Sequence, residues 1–200
     1  MVASILIILI AVTLYSLVHS LLASLWAKAR ARRWFGKLAD RWYRLFYNLF
    51  GVVSLLPVLA LPLLLPDTIL YTISFPWVIF TTILQVVAIL ALAVGLVRTG
   101  VWSFLGFEQL IGKSGEKTNV IVVGGLYRWV RHPLYTAGLV LIWLVLKMTV
   151  NLLALNVGLT LYIVVGAYFE ERKLLREFSM AYKEYCQRTP MLVPYKIPKL

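Results

Sequence analysis

The chain has few of the residues on which most metal and redox sites depend. Its 200 residues include one cysteine, Cys186, and two histidines, His19 and His132. A single cysteine excludes an intrachain disulfide and a cysteine metal cluster, and two histidines are too few for a zinc site without carboxylate ligands. The motifs GxGxxG, GxxxxGK[ST] and HExxH are also absent from the sequence. We therefore expect no metal centre and none of the common soluble-enzyme active sites.

Charged residues are scarce as well. They make up 14% of the chain, whereas hydrophobic residues make up 62%, and the mean hydropathy is +0.87. In soluble domains about a quarter of the residues are charged and about half are apolar. The composition therefore excludes a soluble globular domain and indicates an integral membrane protein.

Long apolar segments are abundant. A membrane-spanning helix needs about 20 apolar residues, and residues 2–26, 45–66 and 76–97 meet that length. A shorter apolar segment, 134–146, is followed closely by 152–169, and this pair predicts a tight helical hairpin. We expect an all-α, polytopic membrane helical bundle with about five transmembrane helices, forming a single domain over residues 1–200.

The basic residues are distributed unevenly along the chain. All but Lys147 of the 20 Lys and Arg residues lie in three stretches, 28–44, 98–131 and 172–199. Lys and Arg concentrate in short cytosolic loops, so this pattern predicts an outer N-terminus and a cytosolic C-terminus. Topology then accounts for the net charge of +12, and no nucleic-acid partner is expected.

Polar residues are concentrated on both sides of the predicted hairpin. Pro133 favours the first turn of a helix, which puts Arg131 and His132 at a helix N-terminus, where backbone N–H groups attract anions. An antiparallel return helix brings Glu170 and Glu171 back to the same level. The first helix of this hairpin is short, so its N-terminal end lies below the membrane surface. Polar groups at that depth indicate a functional site. We expect a cytosolic pocket formed mainly by residues 119–200.

Membrane anchoring is the alternative role for these residues. Arginine is common at the cytosolic interface, and Tyr127, Trp129 and Tyr135 would suit an aromatic belt. Glu170 would then pair with any nearby basic residue. The combination of a Gly-Gly pair, a helix-starting proline and paired acids favours the functional site instead.

The same residues resemble a known group of membrane enzymes. They are similar to the integral membrane methyltransferases that include isoprenylcysteine carboxyl methyltransferases and phospholipid N-methyltransferases. The matching residues are Gly125-Leu126-Tyr127, Arg131-His132-Pro133-Leu134-Tyr135, Glu170-Glu171, Phe178, Tyr182, Tyr185 and Thr189-Pro190.

The resemblance implies S-adenosylmethionine as the methyl donor and S-adenosylhomocysteine as its product. A glutamate would hold the donor's amine, helix N–H groups and His132 its carboxylate, and aromatic faces its sulfonium. Arg131 is a catalytic candidate by the same resemblance, and no metal is required. The implied cofactor-binding residues are Val120, Ile121, Val122, Gly125, Tyr127, His132, Pro133, Leu134, Tyr135, Glu170 and Glu171.

The methyl acceptor follows less directly from the resemblance. Gly166 stands where the prenylcysteine branch has an arginine, and Met191 replaces an arginine that commonly follows Thr-Pro. Residues 18–24, 43–48, 148–150 and 190–192 are instead similar to bacterial methanethiol S-methyltransferases and NnrU-like membrane proteins. These differences favour a small thiol, or another lipophilic acceptor, over a lipidated protein.

His19 is the second catalytic candidate. A neutral histidine accepts a thiol proton, and Arg44, Tyr47 and Asn48 on the next predicted helix would reach the same region. The alternative is a histidine that only hydrogen-bonds between helices.

Two further functions stay open at this stage. In the first, the enzyme would methylate a prenylated carboxylate or a lipid amine. In the second, the protein would be a non-catalytic membrane carrier or accessory protein.

Overall fold

A computed structural model describes residues 1–111 and 121–196. The chain is almost entirely helical in these residues. The helices are Val2–Ala23 (α1), Leu25–Phe35 (α2), Lys37–Leu64 (α3), Trp77–Thr99 (α4), Val101–Leu105 (α5), Phe107–Leu110 (α6), Pro133–Trp143 (α7) and Val150–Arg188 (α8). Two short strands, Ile69–Thr72 (β1) and Lys147–Thr149 (β2), form an antiparallel pair. The predicted all-α class is confirmed.

Four of the described helices, α1, α3, α4 and α8, are long and apolar enough to cross a membrane. Helix α7 is also apolar but has only 11 residues, about 16 Å at 1.5 Å per residue. The chain is therefore an integral membrane protein, and the predicted shortness of the fourth apolar helix is confirmed.

The ends of several helices differ from the ends of the predicted apolar segments. Helix α1 ends at Ala23 instead of residue 26, because the Ser24 side chain caps a separate helix by accepting a hydrogen bond from the Ala27 N–H. Helix α7 ends at Trp143 instead of residue 146, shortly before β2 begins. Helix α8 runs to Arg188, well beyond the apolar segment that ends at residue 169, with non-helical backbone at Ser179. Periodicity alone does not reveal such caps and strand pairings.

The chain divides into two compact units. The first comprises residues 1–72, 99–116 and 147–159, and the second comprises residues 73–98, 117–146 and 160–200. The single domain expected over residues 1–200 stays a prediction, and each unit is described by itself.

In the first unit, α1 and α3 run antiparallel. Ser4 donates a hydrogen bond to the Pro66 carbonyl at 3.1 Å, and Tyr43 donates one to the Leu22 carbonyl at 2.6 Å, so both ends of the pair are tied. Val12 of α1 is buried and packs on the first turns of α8, where a Cβ on Gly158 would lie 3.0 Å from it. These helices form the core of this unit.

A cluster of hydrogen-bonded polar residues joins the end of α3 to the start of α8 in the same unit. Asn151 is fully buried and donates from Nδ2 to the Pro66 carbonyl at 3.1 Å. The Asp67 carboxylate accepts the backbone N–H groups of Thr68 at 2.8 Å and Asn151 at 3.0 Å. Burial raises the pKa of Asp67, but hydrogen bonds from Thr149, Asn151 and Thr68 outweigh it and leave the pKa below its ordinary value.

In the second unit, α7 packs on α4 and on the part of α8 that begins at Thr160. Gln85 of α4 donates to the Leu144 carbonyl at 2.8 Å, and Gly95 of α4 makes room for the side chain of Leu134. Trp143 donates from Nε1 to the Thr160 hydroxyl at 2.9 Å. The predicted hairpin is confirmed, and it sets the first turn of α7 level with Glu170.

Candidate active site

The site is built around the first turn of α7. Pro133 occupies the start of the helix and His132 is its N-cap, as predicted. The backbone N–H groups of Arg131 and His132 donate to the carbonyls of Pro190 at 2.9 Å and Met191 at 3.2 Å. These two amides are therefore engaged by the protein itself. Helix geometry leaves the N–H of Leu134 without an intrahelical partner, so it remains a candidate for anion binding.

All three guanidinium nitrogens of Arg131 donate hydrogen bonds to other residues of the protein. Nε donates to Glu171 Oε1 at 2.5 Å and Nη2 donates to Oε2 at 2.9 Å. Nη1 donates to the carbonyls of Cys186 at 3.0 Å and Thr189 at 2.6 Å. The Arg131 and Glu171 side chains are only 11% and 14% exposed. The contacts join the start of α7, the middle of α8 and the segment after α8, and they favour a positioning role for Arg131.

The charge of Arg131 follows from this pairing. Burial lowers its pKa, but the hydrogen bonds and the charge of Glu171 outweigh the burial and leave the pKa above its ordinary value. Arg131 therefore stays protonated throughout the accessible pH range. The predicted catalytic role of this residue stays a prediction.

Glu170, although adjacent to Glu171 in sequence, has a different environment. Its Oε2 accepts a hydrogen bond from the Tyr135 hydroxyl at 2.9 Å, and 46% of its side chain is exposed. Successive helical residues point about 100° apart, so one acid faces Arg131 and the other faces Tyr135. The Glu170 carboxylate is thus accessible to a ligand.

His132 lies between the two acids. Its Nε2 is 3.3 Å from Glu171 Oε1, its Nδ1 is 3.7 Å from Glu170 Oε2, and its side chain is 6% exposed. The imidazole stacks on the Tyr135 ring with centroids 5.4 Å apart and an interplanar angle of 16°. The ring is therefore fixed in position beside the accessible Glu170.

A tight turn leads into this cluster. Gly125 has a φ of +62° and opens the 3₁₀ turn Gly125–Arg128, and a Cβ at this position would lie 2.8 Å from Nη1 of Arg98. The Tyr127 carbonyl accepts a hydrogen bond from the Tyr185 hydroxyl at 2.6 Å. The turn is consequently held from α8 by Tyr185, and the Arg98 side chain of α4 lies against Gly125.

The remaining predicted cofactor-binding residues belong to three segments of the chain. Pro133 is buried at the helix start, and Ile121 and Val122 lie in the non-helical stretch before Gly124. Leu134 packs toward α4, where a Cβ on Gly95 would contact it. Val120 lies outside the described residues.

His19 belongs to the first unit. Its Nδ1 is 3.3 Å from the Tyr47 hydroxyl, and its ring stacks on Tyr15 with centroids 5.5 Å apart. A Cβ on Gly51 would lie 3.0 Å from His19 Nε2, so the glycine provides space for the imidazole. Asn48 donates to the Leu105 carbonyl at 3.1 Å. The predicted approach of Tyr47 to His19 is thus confirmed.

Part of the chain is similar to methanethiol S-methyltransferases. Methanethiol S-methyltransferase 2 of Bradyrhizobium diazoefficiens is 45% identical over 69 residues, 34% of this chain and 27% of that protein. The methanethiol S-methyltransferase of Mycobacterium tuberculosis is 41% identical over 70 residues, 35% and 29% of the two chains. That of Pseudomonas deceptionensis is 38% identical over 69 residues, 34% and 26%.

These similarities confirm the resemblance that the sequence indicated. The matched segments span less than a third of the length of these curated relatives. No family model matches the chain. No solved structure matches it either.

Sequence reasoning missed Arg98 as a residue of the site. It lies at the end of a membrane-spanning helix, where arginine is common, and no motif includes it. The proximity of Arg98 to Gly125 is visible only in the folded turn, where a Cβ on the glycine would meet the guanidinium.

Proposed function

We propose that the protein is a membrane methyltransferase that uses S-adenosylmethionine to methylate a small thiol. The observation that carries the proposal is the solvent-accessible Glu170 carboxylate, set beside the fixed rings of His132 and Tyr135. The relatives named methanethiol S-methyltransferase support both the methyl transfer and a thiol acceptor.

The residues of the cluster fit this cofactor chemically. The cofactor carries an ammonium group, a carboxylate and a sulfonium, and it supplies an electrophilic methyl group when bound. Glu170 would hold the ammonium group, the helix N-terminus at Leu134 the carboxylate, and the rings of Tyr135 and His132 the cationic part. Gly125 and Tyr127, with Val120, Ile121 and Val122, would line the rest of the pocket.

The protein's own task in this reaction is positioning. Methyl transfer is an in-line displacement, so its rate depends on holding donor and acceptor in a fixed, dry geometry. The Arg131–Glu171 clasp fixes the start of α7 against α8, and Glu171 in turn holds His132. Glu171 thereby supports the pocket, whereas Glu170 would contact the cofactor.

We propose that His19 takes up the proton of the acceptor. A thiol that gains a methyl group on sulfur must release one proton, and an imidazole next to the Tyr47 hydroxyl is a suitable base. The net reaction converts the thiol and S-adenosylmethionine to a methyl thioether, S-adenosylhomocysteine and a proton. A role for Arg44 in the same step is part of this proposal.

The proposed location is the bacterial inner membrane, with the N-terminus outside and the pocket facing the cytosol. The distribution of the basic residues supports this orientation. A water-soluble cofactor would enter from that side.

The decisive experiment measures cofactor binding and acceptor choice on one preparation. Detergent-purified protein should bind S-adenosylmethionine in isothermal titration calorimetry and transfer a labelled methyl group to methanethiol. It should not transfer it to prenylcysteine or phosphatidylethanolamine. Glu170→Ala should abolish binding, whereas Glu184→Ala, which changes an exposed carboxylate of α8, should not.

Two outcomes would contradict the proposal in different ways. Absence of cofactor binding would favour a non-catalytic carrier or accessory protein. Methylation of prenylcysteine or phosphatidylethanolamine in place of methanethiol would keep the cofactor and replace the acceptor.

A further inference from the structure

Helix α2 of the first unit is held between two membrane-spanning helices. Single residues, Ser24 and Gly36, separate it from α1 and α3. Because α1 and α3 run antiparallel, both of these ends lie on the same side of the pair. Helix α2 is therefore tied to the level at which the two spans leave the membrane.

The outer surface of this region is basic and aromatic. Ala27 and Ala31 are the partly buried positions of α2, so its large side chains point outward. The surface formed by α2 and the first turns of α3, here called the basic surface, is residues 25–44. It holds seven Lys and Arg residues and a single acid, Asp40, which pairs with Arg32 at 3.4 Å. Its exposed aromatic residues are Trp26, Trp34, Phe35 and Trp42.

Cations and aromatic rings alternate on the basic surface. The guanidinium of Arg30 lies 4.6 Å from the centroid of the Trp34 ring, and Arg33, Lys37 and Arg41 are exposed. Tryptophan favours the interface between headgroups and acyl chains, and lysine and arginine near it attract anionic headgroups. The surface therefore has the chemistry of a binding site for a lipid phosphate.

An apolar groove lies farther along the same helix pair. It has a volume of about 380 Å³ and is lined by Leu14 and Val18 of α1 and by Phe50 and Val58 of α3, among others. The Ser54 hydroxyl in the groove donates to the Phe50 carbonyl of its own helix at 2.6 Å, which satisfies its only donor. An alkyl chain is the occupant that such a lining favours.

The groove and the basic surface belong to the same helix pair. Ser24, next to the basic surface, is six positions after Val18, a rise of about 9 Å at 1.5 Å per residue. The headgroup layer on each side of a bilayer is about 5–8 Å thick, so a rise of this size suits a phospholipid whose phosphate and acyl chain bind at the two places.

We propose that the first unit binds one anionic phospholipid, with its phosphate on the basic surface and an acyl chain in the groove. The basic surface selects a net negative headgroup, because the cationic group of a zwitterionic lipid would face the arginines. The groove selects a lipid over a soluble phosphate. This proposal does not depend on the methyl transfer proposed above, because its readout is lipid binding.

The test measures lipid binding to the full chain in detergent. Delipidated protein is titrated with dioleoylphosphatidylglycerol, dioleoylphosphatidylcholine or glycerophosphoglycerol, the headgroup alone, and is followed by thermal unfolding and native mass spectrometry. The anionic lipid should raise the melting temperature saturably and be retained at one molecule per chain. Equal shifts with phosphatidylcholine, or a full shift with glycerophosphoglycerol, would overturn the proposal.

Variants separate the two parts of the site. Arg33→Gln with Arg41→Gln should weaken binding of the anionic lipid about thirtyfold, because each surface cation contributes roughly a factor of five. The matched control, Lys173→Gln with Arg176→Gln, removes the same charge from exposed positions of α8 and should change binding less than twofold. Ala11→Leu, which fills the groove, should weaken binding and leave the headgroup selectivity intact. A control effect equal to that of the basic surface would show only general charge attraction and contradict the site.

Discussion

Two parallel hydrogen bonds join the guanidinium of Arg131 to the carboxylate of Glu171, at 2.5 Å from Nε to Oε1 and 2.9 Å from Nη2 to Oε2. The third guanidinium nitrogen, Nη1, is held by two backbone carbonyls. The pair therefore joins the start of α7 to α8 and to the segment after it, and its contribution to stability can be measured.

Removal of Arg131 should destabilise the fold. Arg131→Ala leaves Glu171 mostly buried without its partner, which should cost about 3 kcal/mol of unfolding free energy. Arg131→Lys should recover little, because an ammonium group cannot form the planar two-bond pair. Thermal and denaturant unfolding in detergent measure both changes. Arg188→Ala, in an exposed pair with Glu184 at 3.9 Å, is the control and should change stability by less than about 0.5 kcal/mol. An Arg131→Ala protein of normal stability that has lost turnover would instead assign Arg131 to catalysis.

The two adjacent glutamates should respond differently to neutral substitution. Glu170→Gln should weaken S-adenosylmethionine binding at least about tenfold with little change in melting temperature, because 46% of the Glu170 side chain is exposed and Gln can still accept the hydrogen bond from Tyr135. Glu171→Gln should lower the melting temperature, because it breaks the clasp with Arg131. Calorimetric titration and thermal unfolding of both variants test this division, and the reverse pattern would refute it.

Gly125 should not tolerate a side chain. Gly125→Ala forces an alanine into a φ of +62° and places its Cβ 2.8 Å from Arg98, and the backbone strain alone should cost about 1–2 kcal/mol. A second change, Arg98→Ala, should recover the steric part and leave the backbone part. Gly124→Ala is the control, because Gly124 has a φ of −96° and its added Cβ would meet no atom within 4 Å. Equal unfolding energies for the two alanine variants would contradict the account of the turn.

His19 should affect turnover more than cofactor binding. His19→Ala removes the proposed proton acceptor, so kcat for methanethiol should fall by about 10²-fold while the Kd for S-adenosylmethionine stays within twofold. Tyr47→Phe removes the hydroxyl 3.3 Å from Nδ1 and should give a smaller loss. Ser20→Ala changes an exposed neighbour and serves as the control. An unchanged kcat with His19→Ala would leave this histidine as a packing residue.

The hydrogen-bonded carboxylate of Asp67 should make the stability of the fold depend on pH in the acid range. Its pKa is lowered in the folded protein, so the carboxylate contributes stability that is present above its ordinary value of 3.8 and is lost as the pH falls through the folded value. Asp67→Asn should therefore unfold at a lower temperature than the unmodified protein at neutral pH. The difference should shrink as the pH falls below 3.8. A difference that stays constant into strong acid would exclude the carboxylate as its source.

The elements of this fold are mostly local properties of the chain, which is why they were predictable. A run of apolar residues spans a membrane because of its length, and Pro133 begins a helix because its ring suits the first turn. The hairpin that follows brings His132 and Tyr135 to Glu170, because residues at similar distances from the turn lie side by side on two antiparallel helices. The proximity of these residues could thus be predicted without knowledge of any distance.

The boundaries and the partners within the site were not predictable in this way. Helix α8 continues far beyond its apolar part, and the carbonyls of Pro190 and Met191 cover the amides of Arg131 and His132. The second feature depends on contacts between segments more than 50 residues apart. No local pattern encodes them.

The sequence by itself determined the membrane class, the helical hairpin and the set of polar residues that meet at its end. Only the tertiary structure decided which of them are buried in an ion pair and which stay exposed. Glu170 and Glu171 are identical residues at successive positions, and the turn of about 100° between them points one at Arg131 and the other at Tyr135. Burial and partners, which arise only when α7 and α8 pack together, give the two carboxylates different roles.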